Sequence, residues 1–312
     1  MIKRSLLLIA FASVLVATSS TVRMLAQQAL PAVRLNRAIE MLARGEPIFG
    51  LISTDRSLEN ARAIASSDVD FVIIDMEHGV LDFERMQMFL LGMTNRAEIA
   101  KKGNLQPNVT ALVRLPQYGY EPTTFTVKQA LDIGAMGIMF PAISNREQAV
   151  QAISAMRYPE VTHAPNEPMG RRGSGPTSAV WLWGVPDYQK RADVWPLDPQ
   201  GELLSFIQLE TLEGVQKINE ILDVPGISAI FIGPSDLGLS LGSRPGSPDL
   251  ETAIQTVLNA AKARSIPVAI TANARDAPQR VQQGFRILTL GGDGLSANTV
   301  EGIRVARSAG KR

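Results

Sequence analysis

The sequence predicts a (β/α)8 barrel, and three observations support this fold. Beyond about residue 46, short β-prone runs alternate eight times with amphipathic stretches of helical period. The chain has 312 residues, of which 45% are hydrophobic, so it is long enough to bury a large core. Polar and charged residues collect where the predicted strands end, which is the catalytic face of such a barrel. A doubly wound open sheet is the alternative arrangement of the same units.

Each predicted strand is a short, mostly apolar run. The eight strands are predicted over residues 48–53, 71–76, 111–115, 137–142, 204–209, 229–232, 267–271 and 286–290. The helices that follow them repeat apolar residues at intervals of three and four, as Val215, Ile218 and Leu222 do. These helices are predicted over residues 57–66, 81–96, 123–133, 146–157, 212–222, 249–263, 277–283 and 296–308. We expect a single barrel domain over residues 35–312.

Two segments interrupt the alternation. Residues 97–110 are polar and are predicted to be an insertion, and residues 158–203 form a long loop rich in Pro and Gly. The long loop holds all three tryptophans, Trp181, Trp183 and Trp195. Because aromatic residues are enriched in the cores of subunit contacts, this loop predicts a homo-oligomer, and a lid over its own barrel is the alternative. Arg172 in the same loop is expected at the edge of the pocket.

The N-terminus has the pattern of a secretory signal peptide. Lys3 and Arg4 precede an apolar run over residues 6–17, and small and polar residues follow. We expect a signal within residues 1–26, cleaved between residues 17 and 20 or after residue 26. An uncleaved anchor is the alternative, but the run is shorter than the ~20 residues that span a bilayer. The prediction is an exported protein, periplasmic or secreted, without a stable membrane span after processing.

Composition excludes some partners. The formal net charge is +1, and the charged residues are spread along the chain rather than gathered into a basic face. No nucleic-acid-binding motif is present, so no nucleic-acid partner is expected. The chain has no cysteine, which excludes a disulfide framework and a lipid anchor on cysteine.

Two carboxylates predict a metal site. Glu210 follows one predicted strand, and Asp236 follows the next strand and a Gly-Pro turn. A strand–helix–strand unit brings the ends of its parallel strands together, so both acids are expected in one crevice. Two neighbouring carboxylates repel unless a cation or a proton lies between them; structural salt bridges are the alternative. With only two histidines and no cysteine, oxygen ligands would predominate, which favours Mg2+ or Mn2+ over zinc.

A second group of candidate residues ends the second and third strands. His78 follows Asp75 by three residues, and a carboxylate beside the ring would suit it to general acid/base catalysis. Arg114 ends an apolar strand, and its planar fork suits a carboxylate or a developing enolate oxygen. The alternatives are a surface histidine and an arginine paired with a structural acid. Glu77, Asn273 and Asp293 also occupy strand ends.

Several runs resemble the HpcH/HpaI aldolase/citrate lyase family, in the branch of class II pyruvate aldolases typified by 4-hydroxy-2-oxo-heptane-1,7-dioate aldolase. The first run is Ile-Asp-Met-Glu-His over residues 74–78, and the most extended is Ile-Phe-Ile-Gly-Pro-Ser-Asp-Leu over residues 230–237. Between them lie matching runs at residues 113–116, 127–135, 155–159, 170–173 and 208–210. The order agrees with that of the family, and the likeness extends from about Ala38 to the C-terminus.

The resemblance implies a barrel of the phosphoenolpyruvate/pyruvate-binding type and an EC 4.1.2-like aldehyde-lyase. Such an enzyme cleaves a 4-hydroxy-2-oxo acid to pyruvate and an aldehyde through a metal-bound enolate. It further implies a hexamer, a trimer of dimers that exchange their last helix. The implied roles are metal binding by Glu210 and Asp236, with Co2+ a further candidate cation; enolate stabilisation by Arg114; an acid/base dyad of Asp75 and His78; and substrate binding by Arg114, Gln208, Ser235 and Asp236.

Three features depart from the family pattern. The family is ordinarily cytoplasmic, whereas this chain carries a predicted export signal. The segments at residues 97–110 and 159–169 are enlarged, which bears on aldehyde specificity and on assembly. The alternative functions are oxaloacetate decarboxylation, cleavage of a malyl- or citramalyl-CoA thioester, and binding of a 2-oxo acid by an exported protein without turnover.

Overall fold

Parallel strands close into a barrel in the computed structural model, which describes residues 33–159, 164–243, 247–291 and 294–310. The predicted signal at residues 1–26 and the strand-end candidate Asp293 lie outside the described residues. Residues 34–312 form one compact unit. Within the described residues no helix is long and apolar enough to cross a membrane.

The strand order establishes closure. The strands run β4-β3-β2-β1-β9-β8-β7-β6-β5, every pair is parallel, and an additional pairing of β4 with β6 closes the ring. The predicted (β/α)8 barrel is therefore confirmed, and the open sheet is wrong. The two-residue β5 pairs with the start of β6 and takes no part in closure. The strands are β1 Ile48–Ser53, β2 Phe71–Asp75, β3 Thr110–Arg114, β4 Gly137–Phe140, β5 Val194–Trp195, β6 Leu203–Leu209, β7 Ala229–Ile232, β8 Val268–Ala272 and β9 Ile287–Leu290.

Helices cover the outside of this ring. Their boundaries follow capping residues: Asn145 accepts from Gln148 N at 3.0 Å at the start of α6, and Ser247 accepts from Leu250 N at 3.3 Å in α12. The helices are α1 Arg37–Ala43, α2 Leu58–Ala65, α3 Phe83–Gly92, α4 Arg96–Lys102, α5 Thr124–Ile133, α6 Arg146–Met156, α7 Thr177–Trp183, α8 Tyr188–Arg191, α9 Leu212–Gln216, α10 Ile218–Leu222, α11 Pro234–Ser240, α12 Pro248–Lys262, α13 Ala277–Gln283 and α14 Ala297–Gly310.

Local signals explain where helices differ from the sequence prediction. The segment predicted as a polar insertion begins with α4, because Asn95 caps its N-terminus and Gly103, at φ 67°, ends it. The helix predicted over residues 212–222 is divided into α9 and α10 around Lys217. The predicted Gly-Pro turn instead starts α11, where Pro234 takes the first helical position.

The core has two layers because side chains alternate along each strand. Ile48 of β1 points into the barrel interior, whereas Phe49 packs against the helices outside. Helix α1 contributes Ile39 and Leu42 to the interior cluster. Asn36, the N-cap of α1, donates to the carbonyl of Met136, the residue just before β4, so α1 covers the N-terminal end of the barrel. Substrate access is left to the opposite end.

The long loop packs largely on its own barrel. Trp183 is buried and donates through Nε1 to the Gly134 carbonyl at 2.8 Å, so the expectation that it belongs to a subunit contact is wrong. Trp195 is half-buried against the interior cluster. Trp181 is 78% exposed and remains the tryptophan available for a contact. The homo-oligomer stays a prediction.

Arg172 does not line the pocket edge, and that expectation is wrong. Its guanidinium is buried, donates to Asp132 Oδ1 at 2.7 Å and to Tyr188 Oη at 2.9 Å, and lies 4.5 Å from the centre of the Tyr158 ring. A buried charge requires such partners. Arg172 therefore fastens the loop to α5 and α8.

Candidate active site

Asp75 and Arg114 form a buried ion pair at the C-terminal ends of β2 and β3. The two residues are register partners, so strand pairing sets them side by side. Arg114 Nε lies 2.9 Å from Asp75 Oδ1, and Nη2 lies 2.5 Å from Oδ2. Burial opposes ionisation of Asp75, but the guanidinium outweighs it and the pKa of Asp75 is lowered. The pair is therefore charged on both sides at neutral pH.

The His78 imidazole contacts a different acid from the one predicted. Asp75 Oδ1 accepts from the backbone N–H of His78 at 3.4 Å. The ring itself is 61% exposed, and its Nε2 lies 3.6 Å from Glu77 Oε2. In this structure Asp75 orients Arg114, and Glu77 is the carboxylate beside the imidazole. The acid/base role of His78 stays a prediction.

Glu77 is the site residue to which sequence reasoning gave no role. Its side chain is buried, and within the described residues Oε2 has no hydrogen-bond partner. Arg114 Nη1 lies 3.3 Å away. Burial raises the pKa of Glu77 to about 7, Arg114 opposes this, and the charges of Asp75 and Asp236 add to it. The signal in the sequence was a second acid two positions after Asp75, at the same strand end.

Glu210 lies at the end of β6 among fixed donors. Ala142 donates its backbone N–H to Oε1 at 2.9 Å, and Gln208 Nε2 donates to Oε2. Ala142 has φ 60°, a left-handed conformation that is uncommon for a residue with a side chain. Burial raises the pKa of Glu210 to about 7, and the nearby charges of Glu77 and Asp236 act in the same direction. The carboxylate is thus crowded by other negative groups.

Gly233 allows the end of β7 to approach Glu210. A Cβ atom at this position would lie 2.6 Å from Glu210 Oε2 and 3.1 Å from Gln208 Nε2. No larger residue fits without displacing the carboxylate. This close packing holds the Glu210 carboxylate in place at the C-terminal end of the barrel.

Asp236 and Ser235 occupy the first turn of α11, where a negative charge is favoured by the helix dipole. Both residues are exposed. An open cavity joins the residues at this end of the barrel, and it is lined by Glu77, His78, Gln117, Tyr120, Ala142, Glu210, Thr211, Asp236 and Ser240. Gln208 is buried beneath it, and within the described residues its Oε1 atom has no partner. Ser235 is not among the lining residues.

The strand-end residue Asn273 is not brought into this cavity. Its Oδ1 accepts from Arg275 N at 2.8 Å, so it stabilises the turn before α13. A second cavity, mainly apolar, lies near the N-terminal ends of β3 and β4 and includes Leu105, Met136 and Trp183. It contains none of the strand-end acids and is separate from the candidate site.

The carboxylate oxygens at this site fit a divalent cation that leaves some of its coordination positions to water and substrate. Within the described residues, no group of three or more His, Cys, Asp or Glu side chains forms a complete metal cage. Glu210 and Asp236 supply two carboxylates, and among the described residues the buried Oε2 atom of Glu77 has no hydrogen-bond partner. Catalytic Mg2+ sites use one or two carboxylates and take other oxygens from water and substrate. The raised pKa of Glu210 also reflects negative charge that a cation would neutralise.

The fold and site define a barrel enzyme whose catalytic mouth combines clustered carboxylates with one anchored arginine. A family model, HpcH/HpaI aldolase/citrate lyase, matches residues 50–299. The chain belongs to this family, whose aldolases are metal-dependent carbon–carbon lyases.

Relatives and solved structures agree with this assignment. The chain is 30% identical over 258 residues to 2-keto-3-deoxy-L-rhamnonate aldolase of Escherichia coli, covering 81% of this chain and 86% of that protein. It is 27% identical to 4-hydroxy-2-oxo-heptane-1,7-dioate aldolase of Shigella sonnei, with 81% and 87% coverage. A HpcH/HpaI family protein from Burkholderia cenocepacia has a TM-score of 0.69 at 29% identity, covering 88% of this chain and 97% of that one.

Proposed function

We propose that this chain is a class II aldolase that cleaves a 4-hydroxy-2-oxo acid to pyruvate and an aldehyde and catalyses the reverse addition. The observation that carries the proposal is the buried Asp75–Arg114 pair at the mouth that also holds Glu77, Glu210 and Asp236. A pure binding site needs neither a proton-transfer group nor an anchored enolate donor. The family and its named aldolases support the same chemistry.

Glu210 and Asp236 would hold the cation, with Mg2+ or Mn2+ favoured by their oxygen ligands and Co2+ a further candidate. When bound, the cation supplies a Lewis acid toward the carboxylate and ketone oxygens of the substrate. Gln208 Nε2 donates to the carboxylate of Glu210 and orients it. The backbone N–H groups of Ser235 and Asp236, in the first turn of α11, would donate hydrogen bonds to the substrate carboxylate.

The chain's own residues account for the proton and charge changes. His78 removes the proton from the 4-hydroxyl group, and the electron pair of the C3–C4 bond moves into the enolate as the aldehyde forms. Arg114, fixed by Asp75, donates to the enolate oxygen, where negative charge develops. Return of a proton to C3 gives the pyruvate methyl group. Glu77 lies near Nε2 of His78, where its carboxylate would stabilise the protonated imidazole.

Exchange of the pyruvate methyl protons with deuterium tests the proposal. Enzyme treated with a chelator should lose exchange, and Mg2+ or Mn2+ should restore it, because the exchange requires the enolate but no aldehyde. Failure of restoration would contradict the class II mechanism. Borohydride with pyruvate should leave no lysine adduct, since no lysine is assigned a Schiff-base role; a trapped adduct would overturn that assignment.

A substrate panel separates the related reactions. Hydroxy-oxo acids, oxaloacetate and malyl-CoA should be compared at equal enzyme concentration, because all three reactions share the enolate machinery. We expect cleavage of hydroxy-oxo acids to have the highest kcat/KM. Faster turnover of oxaloacetate or of the thioester would favour the decarboxylase or the CoA-type lyase. Pyruvate binding without turnover of any of them would favour the exported binding protein.

We also propose that the protein is exported and forms a homo-oligomer, a hexamer by resemblance. Export is supported by Lys3 and Arg4 before the apolar run, and N-terminal sequencing of periplasmic or secreted protein tests it. Exposed Trp181 supports a subunit contact. In this structure α14 packs against β1 and β9 of its own barrel. Exchange of that helix between subunits remains part of the proposal.

A further inference from the structure

The peptide group between Pro141 and Ala142 contacts Glu210 at one end and a neighbouring loop at the other. Its N–H group, which belongs to Ala142, donates to Glu210 Oε1 at 2.9 Å. Its carbonyl group, which belongs to Pro141, accepts from the backbone N–H of Gly119 at 2.9 Å. Because a peptide group is planar, a fixed carbonyl also fixes the direction of the N–H group. The position of Gly119 therefore controls how the Glu210 carboxylate is held.

Ala142 has a backbone conformation that requires support from its surroundings. Its φ of 60° lies in the left-handed region, which costs free energy for a residue with a side chain. The loop after β3 packs closely against it: a Cβ atom at Gly119 would lie 2.0 Å from the Ala142 carbonyl oxygen, so only glycine fits there. Ile143 N donates to the carbonyl of Gln208 in β6 at 3.3 Å. Such a conformation persists only where several neighbouring contacts hold it.

Gln148, in the first turn of α6, supplies part of that support by joining two loops. Its Nε2 atom donates to the Gly119 carbonyl at 2.7 Å, and its Oε1 atom accepts from the backbone N–H of Ser144 at 2.7 Å. Gly119 belongs to the loop after β3, and Ser144 belongs to the loop after β4. The donor and the acceptor of one side-chain amide therefore hold these two loops together.

The Ser144 hydroxyl connects the same loop to the residue that follows Glu210. A carbonyl oxygen only accepts, so Ser144 Oγ donates to the Ala142 carbonyl at 3.2 Å. Because a hydroxyl has a single proton, Thr211 Oγ1 must be the donor in its 2.7 Å contact with Ser144 Oγ. Thr211 Oγ1 in turn accepts from Gly214 N at 3.0 Å. A directed chain of hydrogen bonds thus runs from the start of α9 to Ala142, and each hydroxyl in it both donates and accepts.

Ser144 and Gln148 lie behind the wall of the cavity. Ala142, Glu210 and Thr211 line the cavity, whereas neither Ser144 nor Gln148 is among its lining residues. Ser144 is buried and Gln148 is half-buried. Any effect of these two side chains on the chemistry must therefore pass through the residues that they hold.

We propose that Ser144 and Gln148 are positioning residues that keep the Ala142 N–H directed at Glu210 and thereby raise the affinity of the site for a divalent cation. This inference rests on the proposed function, in which Glu210 holds the cation. Carboxylates that bind metals are themselves hydrogen-bonded, and loss of those outer contacts weakens metal binding. A carboxylate whose orientation is already fixed also loses less conformational freedom when the cation binds.

Calorimetric titration of Mn2+ into chelator-treated enzyme tests the inference. Gln148→Met keeps the length of the side chain but removes both hydrogen bonds. We expect it to raise the Kd for Mn2+ by about 10-fold, the lower end of the effect for residues that orient a metal ligand, because Gln148 acts through Ala142. Ser144→Ala should raise the Kd similarly. The matched controls are Gln151→Met, at an exposed glutamine of α6, and Ser154→Ala, at a buried serine of α6.

The binding stoichiometry separates positioning from damage to the fold. Loss of positioning raises the Kd at unchanged stoichiometry, whereas partial unfolding lowers the number of Mn2+ ions bound per chain and leaves the Kd of the folded chains unchanged. Saturating Mn2+ should also restore deuterium exchange into pyruvate to near the wild-type rate in Gln148→Met. If Gln148→Met does not fold, Ser144→Ala decides the question by the same criteria.

Four results would overturn the inference: an unchanged Kd in the two variants, an equal increase in the two controls, a lower stoichiometry at the wild-type Kd, or exchange that stays low at saturating Mn2+. Each of these refutes the positioning role alone, provided that the wild type binds Mn2+ and exchanges pyruvate protons. Wild-type enzyme that does neither would refute the proposed aldolase function instead.

Discussion

Asp75 and Arg114 are register partners on β2 and β3, and two hydrogen bonds join their buried side chains. The Nε and Nη2 atoms of Arg114 donate to Asp75. The third guanidinium nitrogen, Nη1, therefore faces Glu77 and the cavity. The pair thus presents one charged donor in a fixed direction, as an enolate-stabilising group requires.

Removal of Arg114 should affect both stability and rate. Arg114→Met should destabilise the fold by about 3–5 kcal/mol, because it leaves Asp75 as an uncompensated buried charge. It should also lower kcat by about 10²- to 10³-fold if Arg114 stabilises the enolate. Urea unfolding and pyruvate exchange measure the two effects. The exposed pair of Arg304 and Glu301 is the control, and its loss should leave the free energy of unfolding nearly unchanged. Unchanged exchange in Arg114→Met would contradict the assigned role.

Replacement of His78 should separate bond cleavage from enolisation. His78→Ala should reduce cleavage of a 4-hydroxy-2-oxo acid by about 10²- to 10⁴-fold, because the proton on the 4-hydroxyl group loses its acceptor. Metal affinity and pyruvate binding should stay nearly unchanged. His163→Ala provides the control with the other histidine of the chain. Equal cleavage rates in His78→Ala and the wild type would show that another group carries the proton.

The stability of metal-free protein should fall as pH rises. The pKa values of Glu77 and Glu210 are raised from 4.5 to about 7, so each group favours the folded state when protonated. Their contribution is complete below about pH 4.5 and is lost as pH rises toward 7. Thermal unfolding of chelated enzyme across this range measures the loss, and Glu210→Gln should flatten the profile. A pH-independent difference between the variant and the wild type would contradict these pKa values.

Binding of the cation at Glu210 should release protons. If the cation binds Glu210, it must displace the proton that this carboxyl retains near neutrality, so metal affinity should increase with pH up to about 7. Titration calorimetry in two buffers of different ionisation enthalpy would count the protons released. Glu210→Gln should weaken binding and abolish most of the release.

A methyl group at Gly233 should disturb the metal site without unfolding the barrel. Gly233→Ala would place Cβ 2.6 Å from Glu210 Oε2, so we expect metal affinity to fall by about 10- to 100-fold, as for other residues that orient a ligand. Gly238→Ala in α11 is the matched control, because its Cβ would lie 3.5 Å from the Ser243 carbonyl oxygen, an ordinary contact. Similar metal affinity in the two variants would refute the orienting role of Gly233.

The two neighbouring tryptophans should respond differently to truncation. Trp183→Ala should destabilise the chain by about 3–5 kcal/mol, because it removes a buried ring and its hydrogen bond to Gly134. Trp181→Ala should change stability little but lower the assembly mass, since Trp181 is largely exposed. Light scattering on the wild type should give a mass well above the 33.7 kDa of one full chain. A wild-type monomer would reject the oligomer.

The sequence was sufficient for the barrel because each strand is a compact apolar run that repeats the same local pattern. β1 and β7 have the predicted bounds, and the other barrel strands differ by one or two residues at their ends. Glu210 and Asp236 were found for the same reason: a strand–helix–strand unit fixes where its two ends lie. Helix boundaries at Asn95 and Pro234 were missed because they depend on single capping residues.

Only the tertiary structure decided which charged groups meet. The sequence spacing linked Asp75 to His78, but register pairing across β2 and β3 places Arg114 beside Asp75 and leaves the imidazole near Glu77. Side-chain contacts between strands depend on pairing that no local pattern encodes. Burial acts in the same way: the raised pKa of Glu77 arises from surroundings assembled by distant parts of the chain. Local residue patterns therefore determined the scaffold, and three-dimensional proximity determined the electrostatics of the site.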